Sequence, residues 1–402
     1  MVAVKHAFLR VRRIPYKAGY VIVKRNMTFS TKLLPVDRDS IIFDEGEFPK
    51  VTDEFSEENL RKAARELRET NNVVGFPTET VYGLGGSALD DKSVQSIYRV
   101  KNRPADNPLI VHVSSKDQLQ RQILSKGARI PEVYENLINA FWPGPLTILL
   151  PVLPGTRISK VVTVGQDTFG VRLPQNEVAR ALLAFSDTPL AAPSANSSTR
   201  PSPTTAAHVY QDLHGKIPYI IDGGPCDVGV ESTVVDGLVD PPMILRPGGI
   251  SLEQIKRVGG APWQNVQIMR KTAGKSEPVK TPGMKYRHYS PNTTVILFVN
   301  CGDGRAAIDK YMKDNHITNS SKKVALLKTC NFTTADKISD QIVFEEALGN
   351  SLTEIARNMF KMLRQADELH VDFIFIEGVN EENEGLAIMN RLRKAATEVI
   401  SP

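Results

Sequence analysis

Lys101-Asn-Arg103 and, much later in the chain, Ser194-Ala-Asn196 place two cations, a hydroxyl and an amide in short polar turns. Cations two residues apart, followed by the amide of Asn107, suit a polyphosphate: Arg takes phosphate oxygens in pairs and Lys acts as a point charge. By themselves the same residues also read as a solvated charge run. The segment GFPTETVYGLG, Gly75 to Gly85, reads as a strand end entering a Gly-rich turn. It offers two threonines and a tyrosine beside accessible backbone N–H groups, which is what an anionic or amino-acid ligand needs. Arg172 lies inside the apolar run TFGVRLP, which begins at Thr168. An Arg there is costly unless it is paired or serves a ligand. More polar turns follow at Trp142–Thr147, Ala192–Asn196, Arg200 to Thr204 (with Ser202), Asp222–Gly224, Gly229–Thr233 and Leu245–Gly248, which holds Arg246. Fixed cations and small hydrogen-bonding groups at successive strand ends describe a ligand crevice.

Other chemistries lack their residues. The seven histidines are scattered with no HExxH, and no GxSxG elbow supports a Ser/His/Asp hydrolase. Cys226, Cys301 and Cys330 show no CxxC spacing, so neither a disulfide framework nor a zinc site is expected. Three buried free thiols in a reducing compartment is the expectation. Short GxGxxA matches at Gly83 and Gly302 are explained by tight turns.

The 402 residues, 41% hydrophobic and 24% charged, fit two soluble domains. No apolar run approaches the roughly 18 residues of a membrane span. The net charge of +5 comes from the start of the chain. Residues 1–36 carry eight Lys/Arg and no acid, leaving 42 basic against 45 acidic residues, a body near −3. The basic start fits a mitochondrial transit peptide, a disordered tail, or sequence ahead of a second start at Met27. The protein is otherwise expected in the cytoplasm.

Several elements must position the polar turns. Residues 56–70 read as a capped helix, followed by a strand at Val73–Phe76. Helices are expected over 91–101, 130–141, 176–185 and 203–213. Strands are expected at Ile148–Pro151, Phe169–Leu173, Pro189–Ala192, Tyr219–Ile221 and Val234–Val235. Residues 269–292, rich in Lys, Pro and Gly, read as a linker. Beyond it strands at 295–299, 324–327 and 371–376 alternate with helices at 305–313, 352–365 and 386–399, the pattern of a small, mostly parallel, doubly wound domain. The division is therefore 1–50 extension, 51–268 first domain, 269–292 linker and 293–402 second domain, all α/β.

In order, GFPTETVYGLG, KNRPADNPL, WPGPLT, APSAN, GVEST and LRPG resemble the YrdC-like family. PGMKYRHYSP and AIMNRLRKA resemble its longer, two-domain eukaryotic-type branch. The resemblance covers roughly residues 55–402 and implies a twisted open α/β sheet followed by a smaller Rossmann-like domain on an ordered linker. It implies ATP-dependent synthesis of L-threonylcarbamoyl-AMP from L-threonine and bicarbonate, with pyrophosphate released and Mg²⁺ accompanying ATP. A downstream complex would then transfer the threonylcarbamoyl group to tRNA beside the anticodon. Carried over position by position, Thr80, His112, Arg172, Ala192 and Ser232 match threonine-binding positions. Arg103, Asn107, Thr168, Ser194, Ser202, Arg246 and Tyr286 match nucleotide-binding positions. Lys101, Arg103, Ser194 and Asn196 match the KxR…SxN signature, expected to be catalytic. No metal ligand from protein side chains is expected. A non-catalytic double-stranded RNA or tRNA-binding module is the competing reading, and the acidic body counts against it. Another carbamoyl transferase on the same fold would need a zinc-finger-like or acylphosphatase-like neighbour, which the sequence lacks.

Overall fold

The computed structural model describes residues 28–44, 48–269, 288–332 and 338–402. The linker, apart from its two ends, and nearly all of the basic start, together with Tyr286, lie outside these residues.

The first domain is built on an eleven-stranded mixed sheet. In spatial order its strands are Lys32–Pro35, Tyr219–Asp222, Val74–Phe76, Gly83–Ser87, Leu190–Ala191, Ile110–His112, Thr168–Arg172, Leu146–Pro151, Thr233–Asp236, Met243–Arg246 and Gln267–Ile268. Two apolar clusters cover it. One gathers Leu84, Val111, Ile148 and Ile220. The other packs Leu60, Ala63 and Leu67 of helix Glu54–Glu69 with Leu182 and Leu183 of helix Glu177–Ser186. Helix Asp91–Lys101 starts at Asp90, whose side chain accepts from the Ser93 N–H at 2.9 Å. It stops at Asn102, where φ turns to 49°. That left-handed stop swings Arg103 off the helix axis.

Three expectations about the elements are corrected, and one about the thiols. The Gly83–Ser87 segment is a buried strand rather than a turn, antiparallel to Val74–Phe76. Its glycines make room for the Phe76 ring, which a Cβ on Gly85 would meet at 2.8 Å. The extension does not run to residue 50. Lys32–Pro35 pairs in parallel with Tyr219–Asp222 and forms one edge of the sheet. Finally, the last helix ends at Ala395, and Glu398–Ile400 turns back as a strand beside Thr294–Phe298. Of the thiols only Cys226 is buried, and Cys330 is exposed.

The second domain is a five-stranded parallel sheet, ordered Ile342–Ala347, Val324–Lys328, Phe373–Glu377, Thr294–Phe298 and Glu398–Ile400. Helix Arg305–Asp314 covers one face. Helices Leu352–Glu368 and Gly385–Ala395 cover the other. That second core continues across the domain boundary to Val81, Val228 and Val230.

Two fully buried arginines of the second domain also cross the boundary. Arg364 donates to Asp212 Oδ2 at 2.8 Å and to the Pro201 carbonyl at 2.6 Å. Arg200 shares Asp212 at 2.5 Å. Burial would raise the Asp212 carboxyl, but Arg364 and then Arg200 hold it below the ordinary range. Arg391 donates to Glu231 Oε2 at 2.9 Å and also to the Pro247 carbonyl. Breaking a buried pair leaves a charge uncompensated, at about 3–5 kcal/mol. Because Arg200 stays on Asp212, Arg364→Met is expected to lower the unfolding free energy by about 3 kcal/mol, the low end of that range. Urea titration checks this, and a loss under about 1 kcal/mol would show the pair to be no more than a surface one.

Candidate active site

The strand ends converge on a cleft holding about 550 Å³ of atom-free space, open solvent at its mouth included. Its walls carry Thr78, Thr80, Arg103, His112, Arg172, Ala192, Ser194, Glu231, Ser232 and Arg246, with His288 and Tyr289 closing it from the end of the linker. On the Ile110–His112 and Thr168–Arg172 pair, register sets His112 beside Arg172.

Arg172 is 3% exposed and engaged through part of its guanidinium. Nε donates to the Gly144 carbonyl at 3.2 Å and Nη1 to Thr80 Oγ1 at 2.9 Å. Nη2 lies 2.5 Å from Glu79 Oε1. That last contact joins charges without hydrogen-bond alignment, since Nη2 and both Glu79 oxygens have no hydrogen-bond partner. The apolar strand thus tolerates its Arg because Glu79 neutralises it. Thr80 is held in turn by Thr78 at 2.8 Å.

Arg103 is the contrasting case. Its Nε and Nη2 are buried and without a hydrogen bond, and burial lowers its pKa. An unpaired guanidinium edge in a cleft is a receptor for an anion. Arg246 is tied to Ser232, donating to its carbonyl at 3.0 Å and its hydroxyl at 3.1 Å. Burial brings its pKa down to about 10, against the pull of Tyr289 and Glu231. Ser232 also meets the Thr147 hydroxyl at 2.8 Å. Burial and then Arg172 push His112 down to about 3, so the ring is neutral, and its Nδ1 is unpartnered. Burial would raise Glu231, yet Arg391 and then Arg246 hold it at about 2.

Most of the residues singled out in the sequence thus meet in one cleft, but not all. Lys101 and Asn196 lie behind its wall rather than on it. Ser202 is fully buried and donates to Glu231 Oε1 at 2.7 Å. Thr168 sits at the far end of its strand, about 13 Å from Arg172 at roughly 3.3 Å per residue. It shares that residue's face, because alternate residues point the same way. Asn107 precedes the neighbouring strand, with its Oδ1 buried and unpartnered. Four contributors escaped the sequence reading: Glu79, Glu231, His288 and Tyr289. Glu79 stood between the two threonines already singled out, and a carboxylate there was the sign of a counter-charge for Arg172. No group of three or more His, Cys, Asp or Glu side chains among the described residues could hold a metal ion.

Three histidines are held neutral mainly by burial: His112 at about 3, His208 at about 4 and His288 at about 3. A base depressed on folding binds fewer protons folded than unfolded. Its stability is complete above the ordinary value near 6.5 and is lost as pH falls toward the folded value. The unfolding free energy is expected to fall between about pH 6.5 and pH 5, with uptake approaching three protons. His208→Gln should reduce that slope by about one proton. Urea titrations at several pH values check this, and a flat profile would contradict it.

Comparison with known proteins agrees with this geometry. Residues 66–248 match the family described as "Telomere recombination". Residues 250–397 match the one described as "Threonylcarbamoyl-AMP synthase, C-terminal domain". The chain is 52% identical over 362 residues to the threonylcarbamoyl-AMP synthase of Schizosaccharomyces pombe, covering 85% of this chain and 88% of that protein. It is 46% identical over 348 residues to that of Pyrococcus abyssi, covering 86% and 96%. The crystal structure of P. abyssi Sua5 complexed with L-threonine superimposes with a TM-score of 0.78 at 43% identity, covering 92% of this chain and 99% of that one. With its YrdC-like sheet, the cation-lined cleft in that first domain and a second α/β domain, the chain belongs to the threonylcarbamoyl-AMP synthase family.

Proposed function

We propose that the cleft condenses L-threonine, bicarbonate and ATP into L-threonylcarbamoyl-AMP and releases pyrophosphate. The observation that carries this reading is the convergence of Arg103, Arg172 and Arg246 on one enclosed cleft beside a neutral imidazole. Anions are drawn there, and the wall hydroxyls of Thr80, Ser194 and Ser232 are bonded to Arg172, Asn196 and Arg246 rather than to a general base. Positioning and charge stabilisation are the catalytic means on offer.

Arg172 and Thr80 suit the threonine carboxylate, with His112 and the Ala192 backbone bordering the same pocket. Threonine's ammonium gives up a proton to solvent, and the resulting amine condenses with bicarbonate, losing water, to a carbamate. A carbamate oxygen attacks the α-phosphorus, the bond from that phosphorus to the bridging oxygen breaks, and pyrophosphate leaves with the electron pair. Charge grows on phosphoryl oxygens, where Arg103 and Arg246 stand. Asn107 and Thr168, farther along the same face, suit the nucleoside end. Carbamate and adenylate both hydrolyse readily, so enclosure by His288 and Tyr289 matters for yield. Mg²⁺ would enter with ATP. Glu79 and Glu231 are already committed to Arg172 and Arg391, so phosphate oxygens and water would hold the ion, which would neutralise phosphate charge.

The product would pass to a complex that transfers the threonylcarbamoyl group to tRNA. No helix among the described residues is long and apolar enough to cross a membrane. A cytoplasmic enzyme is proposed, with the acid-free start of the chain as a second, mitochondrial address.

Pyrophosphate release is expected to require threonine and bicarbonate together. Release that persists when either is omitted would sink the synthase reading. Salt-sensitive RNA binding without turnover would favour the RNA-binding module instead. Arg172→Lys keeps the charge but loses the paired donors. It is expected to raise KM for threonine by about 10- to 100-fold, with KM for ATP within about threefold. Steady-state kinetics with each substrate varied reads the difference.

A further inference from the structure

The Lys101 side chain is 3% exposed and lies outside the cleft lining; burial and then Arg103 lower its pKa well below the ordinary value, whereas the three acceptors gathered round Nζ favour the ammonium. It has three N–H donors and three acceptors: the Ser194 carbonyl at 2.5 Å, the Asn196 carbonyl at 2.5 Å and Asn196 Oδ1 at 3.5 Å. Two donors are held by short bonds and the third meets Asn196 Oδ1 only at the long 3.5 Å, but with the side chain 3% exposed and off the cleft lining no donor is presented to a phosphate. Asn196 is equally committed. Its Nδ2 donates to the Ser197 carbonyl at 2.8 Å and the Arg200 carbonyl at 2.9 Å. Carbonyls only accept, so the amide cannot be flipped, and Oδ1 is the atom that faces Ser194. The 2.6 Å contact between Ser194 Oγ and that oxygen therefore uses the hydroxyl proton. Ser198 Oγ completes the frame by donating to the Lys101 carbonyl at 2.7 Å. Ser194 and Arg103 do line the cleft.

We propose that Lys101 and Asn196 are positioning residues that do not touch ATP, and that they hold the Ser194 hydroxyl with its proton turned into the protein, so that Ser194 meets its ligand only as an acceptor. Phosphate oxygens accept as well, so they fall to the unpartnered edge of Arg103. Ser194 faces an N–H, an O–H or a cation of the reacting complex. The four signature residues thus divide into a frame and a face. Losing the frame misplaces the face, and misplacement by about an ångström costs rate more than it costs binding.

The kinetic part of this rests on the synthase reading, whereas the binding part does not. The full-length chain is titrated calorimetrically with ATP and Mg²⁺, and pyrophosphate release is followed with all substrates. Arg103→Met is expected to weaken ATP binding by about 10-fold or more, the loss of a charge-assisted phosphate contact. Lys101→Met is expected to leave the ATP dissociation constant within about threefold while kcat falls by about 30-fold or more. Lys101→Arg should not restore kcat, because the buried socket is built for a compact ammonium. Three outcomes overturn the proposal: ATP binding lost in Lys101→Met as in Arg103→Met, kcat within about threefold of the parent, or restoration by Lys101→Arg. Should Lys101→Met fail to fold, Asn196→Ala removes the hydroxyl's acceptor and is read by the same thresholds. If the parent chain releases no pyrophosphate, the synthase reading fails, while the ATP titrations still decide whether Lys101 touches the nucleotide.

Discussion

Arg103, Arg172, Arg246 and the Lys101 ammonium are crowded onto or just behind one face of one sheet, where water is largely excluded. Like charges in such surroundings repel, and Arg103 acts in that sense on Lys101, as Arg172 does on Arg246. Much of the surrounding structure answers that repulsion in different ways. Arg172 has Glu79, Arg246 faces Glu231, and Lys101 is sunk into main-chain carbonyls. Arg103 keeps an edge, Nε and Nη2, with no hydrogen bond or ion pair among the described residues, whereas the unbonded Nη2 of Arg172 lies against Glu79. An anion would complete the set, and in the proposed reaction that anion is a substrate phosphate, which would make charge balance and substrate recognition one constraint.

The second domain enters through that balance. Arg391 comes from its final helix and reaches Glu231, which also receives Ser202 and lines the cleft. Arg364, from its long helix, clamps Asp212 and the Pro201 carbonyl. The Ser197 N–H bonds the same Asp212 at 3.0 Å, so the clamp leads directly to the turn that holds Ser194 and Asn196. The two domains therefore share carboxylates as well as an apolar core, and the cleft walls depend on residues from both.

Much of the scaffold was legible in the chain because local rules governed it. Helix Asp91–Lys101 has its Asp90 cap and a left-handed Asn102 stop, both visible as residue types. The second domain's strands are uninterrupted apolar runs bounded by breakers. Errors arose where a distant partner decided. Gly83–Ser87 has no strand propensity and is a strand because the Phe76 ring needs its missing side chains. Lys32–Pro35 is short and basic, and only the open edge of Tyr219–Asp222 makes it a strand. Glu398–Ile400 continued a helical pattern until the edge of Thr294–Phe298 claimed it.

By itself the sequence determined which groups were available: the cations, hydroxyls and amides, and the breakers that put them in turns. Those are properties of residue type and near-neighbour spacing. Tertiary structure decided which of them face the ligand. Lys101 and Arg103 are two residues apart and chemically alike in charge, yet one is saturated by carbonyls from a turn some ninety residues away and the other is left open. Hydrogen-bond saturation depends on all the partners that folding brings within about 3 Å, and most of those partners are remote in the chain.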